Sequence, residues 1–170
     1  FGWMRVFPMA TKGEAHDALS LVFQRCGVPP AMILDGSKEQ LCKTFRRKLK
    51  EAACQHRQTE LYSPWQQAAE GNIRELKRAC SCLMLSTRAP KVLWDHCLEL
   101  SALIKSHTAS EVFMADGEVP ETLMTGDTAD ISQICQFGWY DWVMYRDTHA
   151  AFPDDTLVLS RYLGPALDVG

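Results

Sequence analysis

The stretch Ala31-Met32-Ile33-Leu34-Asp35-Gly36-Ser37 decides the fold class of this chain. Its short apolar run is typical of a buried strand, and the Asp-Gly-Ser cluster that follows is typical of a turn. Asp35 therefore follows the carboxyl end of a predicted strand, which is where sites gather in open α/β sheets. Asp35 also suits the first position of a turn, and the residues alone leave both interpretations open.

Helical and strand patterns alternate on both sides of this stretch. A capping box of Ser37 and Gln40 predicts a helix with Leu41, Phe45 and Leu49 as its apolar stripe. The predicted order is a strand over 1–9, a helix over 14–26, a strand over 31–34, the helix from Ser37, a strand over 58–62 and a helix over 63–86. This order predicts an α/β domain with a mostly parallel sheet.

The helix over 63–86 begins at a second capping box, in which proline occupies the first helical position. On a helical wheel its apolar residues share one side, which we expect to face the core: Ala69, Ile73, Leu76, Cys80 and Leu83. Glu70 lies on another side, near Arg74, Lys77 and, at the margin, Arg78. The residues also allow a solvated face with Glu70 and Arg74 as an i,i+4 ion pair.

Composition and charge bound the protein class. The chain has 46% hydrophobic residues and 7 cysteines without paired metal-ligand spacing, which predicts a globular intracellular protein with reduced thiols and no membrane span. Residues 1–90 hold 14 Lys and Arg against 8 Asp and Glu, whereas residues 91–170 hold 4 against 13. A polyanionic partner would therefore meet the first half. A second basic cluster over 43–50 is open to three interpretations: a DNA-facing surface, a nuclear-import signal or a solvated helix face.

The second half predicts a helix over 91–107, with Trp94 packed nearby, and a short helix near Glu121. Two strands, over 137–145 and 156–163, flank a turn at residues 153–155 and suggest a small β module. Its aromatic residues could stack nucleic-acid bases or pack in a core or interface, and the core or interface role is favoured: Trp139, Tyr140, Trp142 and Tyr145.

Several segments together resemble retroelement integrases, most closely those of copia-type retrotransposons. The stretch from Ser63 to Arg78 resembles the motif of the third catalytic carboxylate, and residues 33–39 resemble the motif of the second. Asp35 and Glu70 are separated by 34 residues, close to the spacing of the family. Further matching blocks lie over 4–15, 119–126, 137–138 and 161–164, so the resemblance covers nearly the whole chain.

The resemblance implies a ribonuclease H-like integrase core over 1–108, an acidic linker with a short helix over 109–136, and the start of a small β module over 137–170. It implies DNA strand transfer by a polynucleotidyl transferase that uses two Mg²⁺ or Mn²⁺ ions. Asp35 and Glu70 would be the catalytic, metal-binding carboxylates, and a further set would bind DNA: Gln66, Gln67, Arg74, Lys77 and Arg78. The implied partners are element and target DNA and, for the full-length protein, further copies of itself in the nucleus.

Two departures from the family pattern bear on activity. The first catalytic aspartate is not visible, because Asp17 lies inside a helical pattern and is interpreted as a surface residue. We therefore expect the chain, which begins with Phe1 rather than Met, to be a fragment that is inactive on its own. The family also usually has Asn where Gln67 stands, which affects substrate positioning. The alternative hypothesis is a non-catalytic relic or a domesticated nucleic-acid-binding module.

Overall fold

The computed structural model describes residues 2–59, 68–109 and 117–166. The chain divides into two compact units, which we call the amino-terminal unit (7–71) and the carboxyl-terminal unit (1–6 with 72–170). The fold is mixed α/β, with one parallel and one antiparallel two-stranded sheet. None of the helices in the described ranges has the length and apolarity needed to cross a bilayer. The predicted boundaries near residues 108 and 136 stay predictions.

The amino-terminal unit is built around a parallel strand pair. Its elements, after a 3₁₀ turn at Lys12–Glu14, are α1 (Ala15–Cys26), β1 (Ala31–Leu34), α2 (Lys38–Leu41), α3 (Lys43–Glu51) and β2 (Gln55–Gln58). The pair runs from Ala31 opposite Gln55 to Leu34 opposite Gln58. Parallel strands need a crossover connection, which α2 and α3 supply. The predicted helix over 14–26 is confirmed, and it ends at Gly27 with φ of 79°.

The core of this unit joins β1 to the helices on either side of it in sequence. It consists of five buried residues: Leu19, Leu34, Phe45, Leu49 and Cys54. Leu49 is only 1% exposed, so the predicted stripe of Phe45 and Leu49 is confirmed as the buried face of α3. Because Leu34 belongs to this core, the end of β1 is anchored immediately before Asp35.

The single helix predicted from Ser37 is wrong, because the chain breaks at Cys42 into α2 and α3. Cys42 is extended, with φ of −65° and ψ of 154°, and its thiol accepts a hydrogen bond from the Phe45 N–H. The predicted capping box does not form, since the Ser37 side chain makes no capping bond. Oε1 of Gln40 is buried without a partner among the described residues.

The third predicted strand lies three residues earlier than expected. Pairing with β1 begins at Gln55, because the Gln55 N–H donates to the Pro30 carbonyl, 3.0 Å away, and fixes the register there. The predicted segment over 58–62 thus overlaps β2 only at Gln58, and residues 60–62 lie outside the described residues. All four residues of β2 are exposed and all four are polar or charged. No apolar run in the sequence therefore marks this strand.

Helices dominate the carboxyl-terminal unit. Its elements are α4 (Ala68–Thr87, of which residues 72–87 belong to this unit), α5 (Trp94–Ser106, after a 3₁₀ turn at Lys91–Leu93), α6 (Pro120–Thr125), β3 (Trp142–Arg146) and β4 (Leu157–Arg161). The core cluster includes Cys80 of α4, Cys97 and Leu100 of α5, and Trp139 before β3. The predicted helices over 91–107 and near Glu121 are confirmed. Trp94, expected to pack nearby, is instead 59% exposed.

The strand predicted over residues 1–9 is wrong, since residues 2–9 are irregular. The backbone of Met4 bonds to a side chain instead of a neighbouring strand: its N–H donates to the Ser106 hydroxyl at 2.9 Å, and that hydroxyl donates to the Met4 carbonyl at 2.8 Å. On either side, the Trp3 indole and the Arg5 guanidinium donate to the Glu121 carboxylate. These bonds hold the segment against the ends of α5 and α6.

The antiparallel hairpin is shorter than predicted at its first strand, which begins at Trp142 rather than at residue 137. Trp139 is 4% exposed and joins the core, which agrees with a packing role. Tyr140 adopts a left-handed conformation with φ of 65°. The Arg161 guanidinium lies 3.5 Å from the Trp142 ring centroid and 4.5 Å from that of Tyr140, so the aromatic pair holds a cation.

All seven cysteines are free thiols. Cys97 is completely buried in the core, and burial together with the neighbouring Cys80 thiol raises its pKa to about 12. The buried, protonated Cys97 thiol therefore contributes fully to the free energy of unfolding below the ordinary thiol pKa. This contribution is lost as pH rises toward 12, the pKa of Cys97 in the folded protein. Cys97 therefore packs as a small apolar side chain at neutral pH.

Glu121→Gln should destabilise the protein by about 2 kcal/mol, because a half-buried guanidinium would lose its counter-charge. The Arg5 and Glu121 side chains are only 24% and 14% exposed, and Nη1 of Arg5 is already buried without a partner among the described residues. Chemical denaturation measures the difference. Glu118→Gln, an exposed change of the same charge, should have almost no effect, and equal losses in the two variants would contradict this account.

Candidate metal and nucleic-acid site

The Asp35 carboxylate is held at the carboxyl end of β1 by a local turn. Its Oδ1 accepts a hydrogen bond from the Ser37 N–H at 2.9 Å, which is the geometry of an Asx turn. Asp35 itself is exposed, and its carboxylate accepts no other hydrogen bond from the described residues. The interpretation of Asp35 as a turn residue is therefore confirmed. The turn also leaves Asp35 exposed at the end of the strand, where it is available for binding.

Gln58 lies near Asp35 and was not predicted as a candidate site residue. The sequence predicts it at the start of a strand, whereas it lies at the end of β2. It lies opposite Leu34 at the carboxyl end of β2, and the ladder continues with the Thr59 N–H donating to the Leu34 carbonyl at 2.9 Å. Gly36 has φ of 76°, and a Cβ there would overlap the Gln58 side chain. An exposed amide thus lies beside the Asp35 turn. A correct register for β2 is the signal that would have identified it.

Glu70 lies in the first turn of α4 and is exposed. Its carboxylate makes no hydrogen bond or ion pair with another residue in the described ranges. Glu70 is therefore an available anionic oxygen ligand in the amino-terminal unit, as is Asp35. Gln66 and Gln67 lie outside the described residues.

The predicted basic side of α4 is solvent-exposed. Arg74, Lys77 and Arg78 are all exposed, while Leu76 and Cys80 are buried, which confirms the two helix sides. Ile73 and Ala69 of the predicted core face are exposed, so burial begins one turn later than expected. Glu75 is paired with Lys105 of α5, and this hydrogen bond lowers the pKa of Glu75. Arg74, Lys77 and Arg78 themselves form no ion pair within 4 Å in the described residues.

The residues present suit a hard divalent cation. Asp35 and Glu70 would offer carboxylate oxygens, which Mg²⁺ prefers, and both residues are exposed, which would leave room for the waters that Mg²⁺ usually retains. Across residues 2–59, 68–109 and 117–166, no three His, Cys, Asp or Glu side chains are grouped as a metal site.

Comparison with known proteins adds no family assignment. No protein-family model matches the chain, and no curated protein matches it.

Asp35→Asn and Asp35→Ala should separate the structural role of this side chain from its charge. Asn can still accept the Ser37 N–H, so its free energy of unfolding should equal that of the original chain. Ala removes the turn bond and should cost about 0.5–1 kcal/mol. Thermal or chemical unfolding gives both values. A large loss in the Asn variant would mean that the charge itself stabilises the fold.

Proposed function

We propose that this chain is part of a retroelement integrase that catalyses DNA strand transfer, with a ribonuclease H-like core. The observation that carries the proposal is Asp35, held by a turn at the carboxyl end of a parallel strand with a free carboxylate oxygen. The motif order and the 34-residue interval to Glu70 add support. The proposal includes DNA as substrate and, for the complete protein, nuclear location and self-association.

The exposed face of β1 supports the view that further elements complete the core. Met32 and Leu34 pack inward, but Ile33 on the opposite face is 69% exposed. Parallel strands are normally covered on both faces, and an apolar strand residue left open suggests a missing neighbour. In the proposed whole protein, that neighbouring region supplies the first catalytic aspartate, so the chain alone is inactive.

The proposed chemistry is in-line attack of water or a 3′-hydroxyl on a phosphodiester. Bound Mg²⁺ supplies nucleophile activation and stabilisation of charge on the leaving oxygen. Asp35 and Glu70 would hold the metal, while Gln66 and Gln67 would hydrogen-bond the DNA end. The α4 cations would contact phosphates, which positions DNA without reading its sequence. Gln58, beside the Asp35 turn, would offer a neutral amide to substrate.

Mn²⁺ should broaden the amide NMR signals of Gly36 and Gly71 together, because we expect the Asp35 and Glu70 carboxylates to lie within about 8 Å, the reach of a shared metal site. Asp35→Asn should remove the broadening at both positions without unfolding the protein. Asp127→Asn, which removes an exposed carboxylate elsewhere, should leave it unchanged. Broadening at only one of the two glycines would refute a shared site.

A second candidate function is nucleic-acid binding without catalysis, as a relic or domesticated module. The exposed cations of α4 favour it, since they need neither a metal nor the first aspartate. The two functions share the basic side of α4 and differ in the carboxylates. A chain that binds duplex DNA but does not bind a divalent metal would therefore favour the non-catalytic module.

Replacing Arg74, Lys77 and Arg78 together by Ala should weaken duplex DNA binding and flatten its salt dependence. Each phosphate contact releases condensed counterions, so up to about three units could be lost from the slope of log affinity against log salt. Glu70→Gln should leave metal-free binding unchanged or slightly tighter, because it removes a negative charge. Fluorescence anisotropy across a salt series measures all three proteins.

The matched control removes three exposed cations from another helix, α3: Lys43→Ala, Arg46→Ala and Lys50→Ala. If binding is specific to α4, this variant should keep the original slope. Equal flattening by both triple variants would mean that the α4 side is not the specific DNA-binding surface, because the α3 cations would then contribute as much. An unchanged slope in the α4 variant would mean that this side of α4 is a solvated surface that does not contact DNA.

A further inference from the structure

A mostly apolar groove lies between α4 and the beginning of α5, within the carboxyl-terminal unit. Its volume is about 630 Å³, and its walls include Cys80, Met84 and Leu85 of α4 and Trp94 of α5. This volume is in the range of sites that hold a ligand or the anchoring side chains of a peptide. The groove takes no part in the proposed chemistry.

The surface around the groove is unusually apolar for a region exposed to water. Leu85 is 79% exposed, Val92 78% and Trp94 59%. Contiguous exposed apolar side chains of this size mark interaction sites, and Trp, Met and Arg are the residues enriched at protein interfaces. An apolar partner surface would remove this area from water.

Two cations, Arg88 and Lys91, also line the groove, and no acidic residue does. Both are exposed and make no side-chain hydrogen bond or ion pair with another residue in the described part of the chain. Arg88 follows α4 in a left-handed conformation with φ of 55°, where glycine is usual. A long cationic side chain is thus kept at a position that disfavours it, next to an apolar groove.

We propose that this groove binds an acidic, apolar helical segment of a partner protein. Apolar side chains of that helix would fill the space between Met84 and Trp94, as in helix-in-groove recognition. Its Asp or Glu residues would pair with Arg88 and Lys91, which selects an acidic partner over a basic one. The proposal uses none of the candidate catalytic carboxylates and stands apart from the integrase assignment.

The test uses two short fluorescein-labelled peptides that are helical by design. Both carry Leu and Trp on one face; one has Glu on the flanks and the other has Lys. Anisotropy with the whole 170-residue chain should show the Glu peptide binding at least about tenfold more tightly. The double variant Arg88→Glu, Lys91→Glu should reverse that preference, and Arg146→Glu, an exposed change outside the groove, should not.

Leu85→Ala should weaken the Glu peptide about tenfold while leaving the circular dichroism spectrum unchanged, because this side chain is almost fully exposed. Absence of binding, or equal binding of the two peptides, would overturn the proposal. So would light scattering that shows a dimer of the chain dissociated by Leu85→Ala, since a second copy would then occupy the groove. Reversed peptide preference in the double variant, together with weaker binding of the Glu peptide by Leu85→Ala, would establish the proposal.

Discussion

Parallel pairing of β1 and β2 is the constraint on which the amino-terminal unit depends. Two parallel strands can be joined only through a crossover, and the crossover here must pack against the pair to bury Phe45 and Leu49. The pairing also brings both carboxyl ends to one edge, which places the Asp35 turn beside Gln58. A loss of register by one residue would turn Leu34 away from the core and move Asp35 from that edge.

Helix α4 shows how one helix can serve several surfaces. Leu76 and Cys80 point into the core, Arg74, Lys77 and Arg78 are open to solvent, and Met84 and Leu85 line a groove. The Glu75 carboxylate, on the same helix, forms its ion pair with Lys105 of α5. Charge and apolar character therefore separate along the helix, so that a polyanion and an apolar partner would meet different turns of it.

Periodicity in the sequence predicts most of the helices and the position of β1, because apolar residues at regular intervals indicate burial. Of the four residues of β1, only Leu34 is fully buried. Periodicity fails where bonding is non-local or polar. The residues of β2 carry no apolar pattern, and only their ladder to β1 defines them. The segment around Met4 has strand-like residues, but Ser106, more than a hundred positions away, takes its backbone bonds. Cys42 breaks a continuous helical pattern through a thiol cap that composition does not reveal. Asp35 could be placed at a strand end from sequence, whereas the proximity of Asp35 and Glu70 stays a prediction because it depends on tertiary structure.

The two hydrogen bonds between Met4 and Ser106 have a consequence for the order in which the chain acquires its structure. Residues 1–6 belong with 72–170, so this segment has no native partners until α5 and then Glu121 have been synthesised. The amino-terminal unit, made entirely of residues 7–71, can meanwhile assemble from contacts close in sequence. Closing a loop of this length costs little more entropy than closing one half as long. Trp3 and Arg5 therefore form their hydrogen bonds to Glu121 only after α6 has been synthesised.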